Sequence, residues 1–378
     1  RILFVASLHH PEALAAAITH TPADEAPPLF PPSMAQHFWE RALRARGHTL
    51  DVFYRNLPVV SLARARKRKT QRHSQRITPG KLVSAAANRL PPTLNPELRI
   101  RNQRLIEKAA RFRPDVLWMV GDNTVIYPET VAAIKRAHDC RVIYASGTSP
   151  IVFSHPLDRR AAPLYDLVLV NDFYHGVQWL ELGAQAMECL PVSACDPDFH
   201  RPADLSDEER ARYGCDIAFV GTLVPDHLYS RRVAVLEALQ DFDLGIWSVH
   251  DVPPSLRKFV RGRALGEEMI RILSAAKIAV NIHGNFMLYG GNMRLFEAAG
   301  AGVCQITDDL PGTQRWFPPD HGVETILTFT DYTDLRSKVS YYLMHKAARA
   351  AIAERARAHV YAHHTYAHRV ARLEELLT

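Results

Sequence analysis

The sequence predicts an α/β protein that contains two doubly wound parallel sheets. Short apolar runs alternate with stretches of helical periodicity, and strands that are apolar on both faces are typical of parallel sheets covered by helices. The alternation breaks at residues 191–213, where Pro197 and Pro202 interrupt it, and begins again after residue 215. With 378 residues, the chain is long enough for two domains that each bury a core.

The first domain is predicted over residues 1–193. Ser33 can cap a helix that runs to Arg46, and Gly47 can end it. The predicted strands of this domain cover residues 2–6, 49–54, 116–120, 142–145, 167–170 and 186–190. The helices between them are predicted at residues 33–46, 96–112, 128–137 and 176–182.

A linker is predicted at residues 194–214, and the second domain at residues 215–355. Apolar runs predict strands at 216–220, 244–247 and 278–282. Helices are predicted at 266–276 and after Asn292, and nearly all of 335–377 has helical periodicity.

Composition excludes several classes of protein. A hydrophobic content of 47% and a charged content of 23% are typical of a globular chain rather than a disordered one. No apolar run approaches the roughly 18 residues that span a bilayer, and the apolar run at the start is too short for a signal peptide, so we expect a cytoplasmic protein. The five cysteines form no C-x-x-C pair, which predicts neither a disulfide framework nor a zinc site.

Positive charge is concentrated between Arg64 and Arg76, where seven Lys or Arg residues occur without an acid. Such a run is most often a solvated loop. It can also dock on anionic lipid head groups, which would bring the protein to the inner membrane face, or on a lipid-linked acceptor. Nucleic acid is not an expected partner, because no aromatic residues interleave the run.

Residues 278–309 carry the clearest functional signal. A glycine-rich loop follows an apolar run, and Asn292 can cap the next helix, which is predicted to bury Leu295 and Phe296. The helix start offers unpaired backbone N–H groups and the positive end of a dipole, which suit a diphosphate. Glu297 lies roughly 7.5 Å farther along the axis, where a carboxylate can accept from two ribose hydroxyls. The alternative is an ordinary helix whose Glu297 faces water.

Three segments resemble one group of enzymes. They are NMRLFEAAGAG at 292–302, IAFVGTL at Ile217–Leu223 and HTYAHR at His364–Arg369. They are similar to the CgeB-like (spore maturation protein) branch of the group 1 glycosyltransferases. The resemblance implies a GT-B fold, in which two Rossmann-type domains face each other across a cleft and a C-terminal helix, here residues 356–378, packs back on the first domain.

The same resemblance implies the reaction. A hexosyltransferase of this kind moves a sugar from a UDP-, GDP- or dTDP-linked donor to a hydroxyl acceptor, without a metal or another cofactor. The acceptor can be a glycan, a lipid-linked molecule or a small molecule. This chain departs from many relatives at Tyr289, where they carry a second Glu eight positions before the helix Glu, and the stereochemistry of transfer therefore stays open.

In this fold the donor binds to the second domain. The candidate donor-binding residues are Gly221, Thr222, Arg231, Trp247, His283, Gly290, Gly291, Asn292, Arg294 and Glu297. Gly221 and the glycine loop are expected to donate backbone N–H groups to the diphosphate, and Arg231 or Arg232 to add charge. Trp247 either stacks on the base or belongs to the core.

If the sugar configuration inverts, a base must lie within about 3 Å of the acceptor oxygen. Candidates in loops after strands of the first domain are His9, His10, Asp122 and Asp172. By analogy with inverting relatives, His10 or His9 is favoured.

Two other functions stay open, and a third is disfavoured. A nucleotide-sugar-binding protein without turnover is one, because Tyr289 replaces the second Glu. A sugar-nucleotide epimerase shares the fold. A nicotinamide-linked oxidoreductase is disfavoured, because SLHH rather than G-x-G-x-x-G follows the first strand.

Overall fold

The computed structural model describes residues 1–7, 34–56 and 95–378. These residues form two compact units. Unit 1 consists of 1–7, 44–56, 95–169 and 177–188, and unit 2 of 34–43, 170–176 and 189–378. Unit 2 therefore begins before the linker predicted at 194–214, and it includes two short segments that the sequence assigns to the first domain.

Unit 1 contains a six-stranded sheet in the order β2-β1-β3-β4-β5-β6. Its strands are β1 (Ile2–Ala6), β2 (Leu50–Tyr54), β3 (Val116–Val120), β4 (Arg141–Ser146), β5 (Leu167–Val170) and β6 (Met187–Glu188). Pairing is parallel, and Ile2 of β1 lies opposite both Leu50 and Val116. Every residue of β1 is buried, as the continuous apolar run predicts for a central parallel strand.

Helices connect these strands. The helices before residue 190 are α1 (Met34–Ala45), α2 (Pro96–Phe112), α3 (Pro128–His138), α4 (Pro156–Ala161) and α5 (Phe173–Glu181). Helix α2 begins where Asn95 accepts from the backbone of Glu97 and Leu98, at 3.0 and 3.3 Å, and it ends at Arg113, whose φ is 53°. The predicted bounds 96–112 are confirmed.

An aromatic cluster surrounds a buried carboxyl in unit 1. The rings of Tyr144 and Tyr165 stack with centroids 4.6 Å apart. The hydroxyl of Tyr144 and the backbone N–H of Asn123 donate to Asp158 at 2.7 and 2.8 Å. Burial raises the pKa of Asp158 to about 6, although these hydrogen bonds act in the opposite direction.

Unit 2 contains a second six-stranded parallel sheet, in the order β12-β11-β10-β7-β8-β9. Its strands are β7 (Cys215–Val220), β8 (Leu244–Trp247), β9 (Val260–Gly262), β10 (Ala276–Asn281), β11 (Cys304–Asp308) and β12 (Leu327–Phe329). Strand β7 pairs with β8 on one side and β10 on the other. The chain therefore winds outward in both directions from β7, as in a Rossmann-type sheet.

Helices cover both faces of this sheet. They are α6 (Asp207–Tyr213), α7 (Asp226–Glu237), α8 (Glu267–Ala275), α9 (Met293–Gly300), α10 (Pro311–Trp316), α11 (Tyr332–Met344), α12 (Lys346–His363) and α13 (Tyr366–Leu377). Successive side chains of β7 enter different cores. Ile217 packs with α7 and α11, and Ala218 packs with α8 and α9. The predicted α/β class with two doubly wound parallel sheets is confirmed.

The terminal helix α13 starts at a capping box, in which the Thr365 side chain accepts from the N–H of His368. The ring of Tyr366 lies 5.3 Å from that of Phe38 in α1. The terminal helix therefore packs on α1, and both contacting residues belong to unit 2.

Two further features concern the described part of the chain. No helix there is long and apolar enough to cross a bilayer. All five cysteines are buried free thiols, and burial raises the pKa of Cys140 to about 11.

Candidate functional site

The candidate site lies at the carboxyl ends of β7 and β10 in unit 2. From β7 the chain continues through β8 toward one edge of the sheet, and from β10 it continues through β11 toward the other edge. Ligands of open α/β sheets bind outside the strand ends at such a reversal point. The loop after β10 carries His283, Gly290 and Gly291 and leads into α9.

Helix α9 begins as the sequence predicts. The side chain of Asn292 accepts from the N–H of Leu295 at 3.0 Å and donates to Asn281 at 2.9 Å. Leu295 and Phe296 are fully buried. The predicted cap and buried side of the helix are confirmed.

The glycine loop approaches other parts of unit 2 very closely. Gly290 and Gly291 have φ values of 106° and 101°, a region that side chains rarely adopt. A Cβ atom on Gly291 would lie 2.6 Å from the carbonyl oxygen of Asn171. Glycine is therefore required at position 291 by both conformation and space.

His283 ties this loop to the sheet. Its Nε2 accepts from the N–H groups of Gly291 and Asn292, at 3.1 and 3.3 Å. Because Nε2 accepts, the proton is on Nδ1, which donates to Asp308 at 2.6 Å. His283 is fully buried, and in this tautomer it positions the loop rather than donating to a ligand.

Asp308 joins His283 to Arg231. The guanidinium of Arg231 donates to Asp308 at 3.0 Å. Burial alone would raise the pKa of Asp308, but the neighbouring His283 and Arg231 outweigh it and hold this pKa below its ordinary value. Sequence analysis missed Asp308, although its place at the end of β11, beside the end of β10, was an available signal.

Asp172 occupies the other two amides of the loop. One carboxylate oxygen accepts from the N–H groups of Tyr289 and Gly290, at 2.7 and 3.1 Å. The other accepts from Tyr174 at 3.0 Å. Asp172 is 0% exposed.

These contacts bear on two predictions. The loop amides are not unpaired, because the amides of residues 289–292 all donate to Asp172 or His283. The role of Asp172 as a base stays a prediction, and in this arrangement its carboxylate is buried against three amides. That the loop binds the donor stays a prediction.

The N–H of Gly221 is also engaged, since it donates to the carbonyl of Trp247 at 3.1 Å. Its expected contact with a diphosphate stays a prediction, and in this structure the N–H already has an acceptor. The carbonyl of Thr222 accepts from Arg232 at 2.9 Å. Arg232 also donates to Ile282 at 2.8 Å, and burial lowers its pKa to about 10.

Arg231 is the arginine that faces open space. It lines a cavity of about 520 Å³ at the ends of β10, β11 and β12. The other lining residues are Val235, Ile282, Asp308, Asp309, Phe329, Thr330, Asp331 and Tyr332. Three aspartates against one arginine make this lining net acidic, so it does not favour a diphosphate.

Trp247 belongs to the core. It is 2% exposed and packs with Ala218 and Ile272. Arg261 lies over its ring, with the guanidinium carbon 5.9 Å from the centroid. Of the two roles predicted for Trp247, the structure supports packing rather than stacking on a base.

Glu297 is 14% exposed and forms an ion pair with Arg294 at 2.6 Å. Its other oxygen lies 3.8 Å from Nε2 of His200, and burial lowers the pKa of that histidine. Arg294 also contacts the sulfur of Met269. The alternative in which Glu297 faces water is wrong, whereas its ribose contact stays a prediction.

Several predicted residues lie elsewhere. His9, His10 and the basic segment Arg64–Arg76 fall outside the described residues. Asp122 is exposed after β3 in unit 1, with a φ of 60°.

No metal cluster is found among the His, Cys, Asp and Glu side chains that the structure describes. The carboxylate of Asp196 accepts from the backbone of Asp198 and Phe199 in a turn. Transfer of the sugar without a metal stays a prediction.

A buried arginine near α9 was also missed. Arg369 is 3% exposed and lies over the rings of Phe296 and Trp316, at 5.1 and 5.6 Å. Its Nε and one terminal nitrogen have no hydrogen-bond partner, and no described residue forms an ion pair with it. The HTYAHR segment signalled this residue, but only the tertiary structure brings it to α9.

Comparisons with known proteins agree with this architecture. A family model described as glycosyl transferase-like matches residues 230–375. The structure is similar to Anabaena HepE, solved with UDP and glucose, at a TM-score of 0.58 and 12% identity over 99% of both chains. No curated protein sequence matches the chain significantly.

Two further structures share the fold. One is a glycosyltransferase from Rickettsia africae, with a TM-score of 0.56 and 12% identity over 99% of this chain and 96% of that one. The other is the N-terminal domain of Candida albicans trehalose-6-phosphate phosphatase. Its TM-score is 0.56, with 10% identity over 100% of this chain and 96% of that one. The two sheets with their helices are therefore those of a GT-B-like fold.

Proposed function

We propose that the chain is a glycosyltransferase that moves a sugar, of the hexose class, from a nucleoside diphosphate sugar to a hydroxyl acceptor. The strongest support is the glycosyl transferase-like match over residues 230–375, because this range contains Arg231, the glycine loop, α9 and Asp308. HepE structures contain UDP, UDP with glucose, or UDP-glucose. UDP is therefore the first nucleotide to test, and the CgeB-like branch is part of this proposal.

Transfer of the sugar is favoured by positive charge near the diphosphate, because negative charge builds on the diphosphate oxygens as the bond to the sugar breaks. The amino end of α9 supplies a dipole. Arg369 adds a buried cation without a carboxylate partner among the described residues. We propose that these groups stabilise the leaving group without a metal, with Glu297 accepting from the ribose hydroxyls.

The acceptor side rests on residues outside the described ranges. His10 or His9 remains the proposed base if the configuration inverts. The acceptor is proposed to be a glycan, a lipid-linked molecule or a small molecule. A cytoplasmic protein that meets the inner membrane face through Arg64–Arg76 fits the lipid-linked choice.

Thermal unfolding with UDP, GDP, dTDP and ADP tests donor recognition. A nucleotide at a hundred times its Kd adds about 2.7 kcal/mol of stability, so the preferred base should raise Tm well above the other three. Hydrolysis of the matching nucleotide sugar, measured by release of the nucleoside diphosphate, then tests turnover. If none of the four nucleotides raises Tm at millimolar concentration, the proposal is wrong.

A second candidate is a nucleotide-sugar-binding protein without turnover. Two observations favour it, the tyrosine at position 289 and the engagement of the loop amides by Asp172 and His283. Tm shifts without any hydrolysis or transfer would support this candidate over the transferase.

A further inference from the structure

A single carboxylate holds three backbone amides from two segments of unit 2. Asp172 accepts from Tyr174, at the start of α5, and from Tyr289 and Gly290, just before α9. The next two amides, of Gly291 and Asn292, donate to His283. Four consecutive amides at the start of α9 therefore already have acceptors within the protein.

The two acceptors differ in charge. The His283 ring accepts through an unprotonated nitrogen while its other nitrogen donates to Asp308. Asp172 instead places an anionic group on Tyr289 and Gly290. Consecutive amides before a helix form a site that favours anions, and Asp172 is positioned as a ligand phosphate would be.

A diphosphate and this carboxylate compete for the same amides. Each N–H offers one proton, and like charges about 4 Å apart repel strongly even at the effective dielectric constant of a protein surface. A phosphate oxygen can approach Tyr289 and Gly290 only after the Asp172 side chain has turned away.

We infer that Asp172 is an internal competitor of the donor diphosphate. Without a nucleotide, its carboxylate occupies the amides of Tyr289 and Gly290, and donor binding requires its release. The observed donor affinity is then lower than the intrinsic affinity, by the fraction of molecules in which the amides are free. This inference rests on the proposed function, since it needs a diphosphate ligand at this loop.

Other contacts keep the two segments together during the exchange. The Nε2 of buried His175 donates to the carbonyl of Phe286 at 2.8 Å. The side chain of Asn171 accepts from the N–H of Val192 at 2.8 Å. Neither contact involves Asp172. When its side chain leaves the amides, the bond from His175 to Phe286 still joins residues 171–176 to the loop after β10, and Asn171 stays held to Val192.

The test compares UDP binding by the wild type and Asp172→Asn, using calorimetry and a Tm measurement without ligand. The substitution removes the charge and keeps the shape, so the Kd for UDP should fall at least about ten-fold, or about 1.4 kcal/mol. Asp204→Asn is the matched control, because Asp204 is exposed in unit 2 and its loss of charge should leave the Kd unchanged.

The possible results separate the competitor role of Asp172 from the proposed function. A folded Asp172→Asn variant that binds UDP as the wild type does, or more weakly, overturns the competitor role, while binding by the wild type preserves the proposed function. If neither protein binds UDP, GDP, dTDP or ADP, the proposed function fails and the inference fails with it.

Hydrogen exchange on the wild type gives a readout that does not depend on a variant. Saturating UDP should increase exchange in residues 171–176, because the N–H of Tyr174 loses its carboxylate acceptor. Exchange at Tyr289 and Gly290 should stay slow, because the diphosphate replaces Asp172 as their acceptor, while Gly291 and Asn292 keep His283. Protection of both segments by UDP would contradict the release of Asp172.

Discussion

Asp158 and Glu297 are carboxyl groups in very different surroundings. Asp158 is 0% exposed among the tyrosines of unit 1, with neutral hydrogen-bond donors and a pKa raised by burial. Glu297 lies near the surface of unit 2 and is paired with Arg294. The first therefore affects stability as a function of pH, whereas the ribose contact proposed for the second has to be tested by its effect on activity.

Asp158 should make the stability of unit 1 depend on pH. Its pKa rises from 3.8 to about 6 on folding, so its contribution is fully present below about pH 4 and is lost as the pH rises through 6. The shift in pKa corresponds to about 3 kcal/mol in the free energy of unfolding. Urea unfolding at pH 4, 5, 6 and 7 should show this slope in the wild type.

In Asp158→Asn the free energy of unfolding should change less between pH 4 and pH 7, by the amount that the Asp158 carboxyl contributes. Asp139→Asn, a change at an exposed position of unit 1, is the control and should follow the wild-type profile. An Asp158→Asn profile that matches the wild type would show that burial of this carboxyl does not set the pH dependence.

Glu297→Ala should reduce donor use if the carboxylate holds the ribose. Loss of charged hydrogen bonds of about 1.5 to 3 kcal/mol would lower kcat/KM for the nucleotide sugar roughly 10- to 100-fold. Steady-state hydrolysis of UDP-glucose measures this. Glu181→Ala, on the exposed end of α5, is the control, and equal kinetics in both variants would remove the ribose role.

At the scale of elements, the link between the end of β10 and α9 depends on two kinds of constraint. The cap at Asn292 is local, since its side chain reaches only to Leu295. The path of the preceding loop is not local, because Asp172 accepts from its amides and Asp308 accepts from His283, which holds the next two amides. Contacts between residues far apart in the sequence therefore position the loop.

Gly291→Ala should destabilise unit 2 more than Gly322→Ala. Both glycines have positive φ, 101° and 79°, so both substitutions introduce backbone strain of about 1 kcal/mol or more. Only at Gly291 would the new Cβ meet a backbone oxygen, at 2.6 Å, whereas nothing lies within 4 Å at Gly322. We expect an additional loss of about 1 to 3 kcal/mol for Gly291→Ala in urea unfolding. Equal losses in the two variants would show that the loop adapts to the clash.

At the scale of the whole molecule, charge is distributed unevenly along the chain. The net charge is +6, and the lining of the cavity beside Arg231 is acidic. Basic residues concentrate instead at Arg64–Arg76. Any attraction to an anionic surface should therefore depend on that segment.

Sedimentation with vesicles tests this expectation. The wild type should bind vesicles that contain 30% phosphatidylglycerol, roughly 1 kcal/mol per basic residue near the surface, and it should be released by salt. It should not bind neutral vesicles. Replacing the seven basic residues by Gln should abolish binding, and unchanged binding by that variant would place the contact elsewhere.

The sequence by itself determined the α/β class, the repetition of the alternating pattern and most element bounds. Helix α2 covers the predicted residues 96–112, and α9 starts after the predicted cap at Asn292. These signals act between residues about four positions apart or fewer, so one chain segment contains all the information they need.

Only the tertiary structure decided which groups accept from the loop amides. Asp172 and Tyr289 are separated by 117 positions, and His283 and Asp308 by 25. Local periodicity carries no record of such pairs, because they form only when segments far apart in the sequence come together in the folded chain. For the same reason, the glycine loop was recognised from its sequence, whereas the carboxylate that occupies it was not.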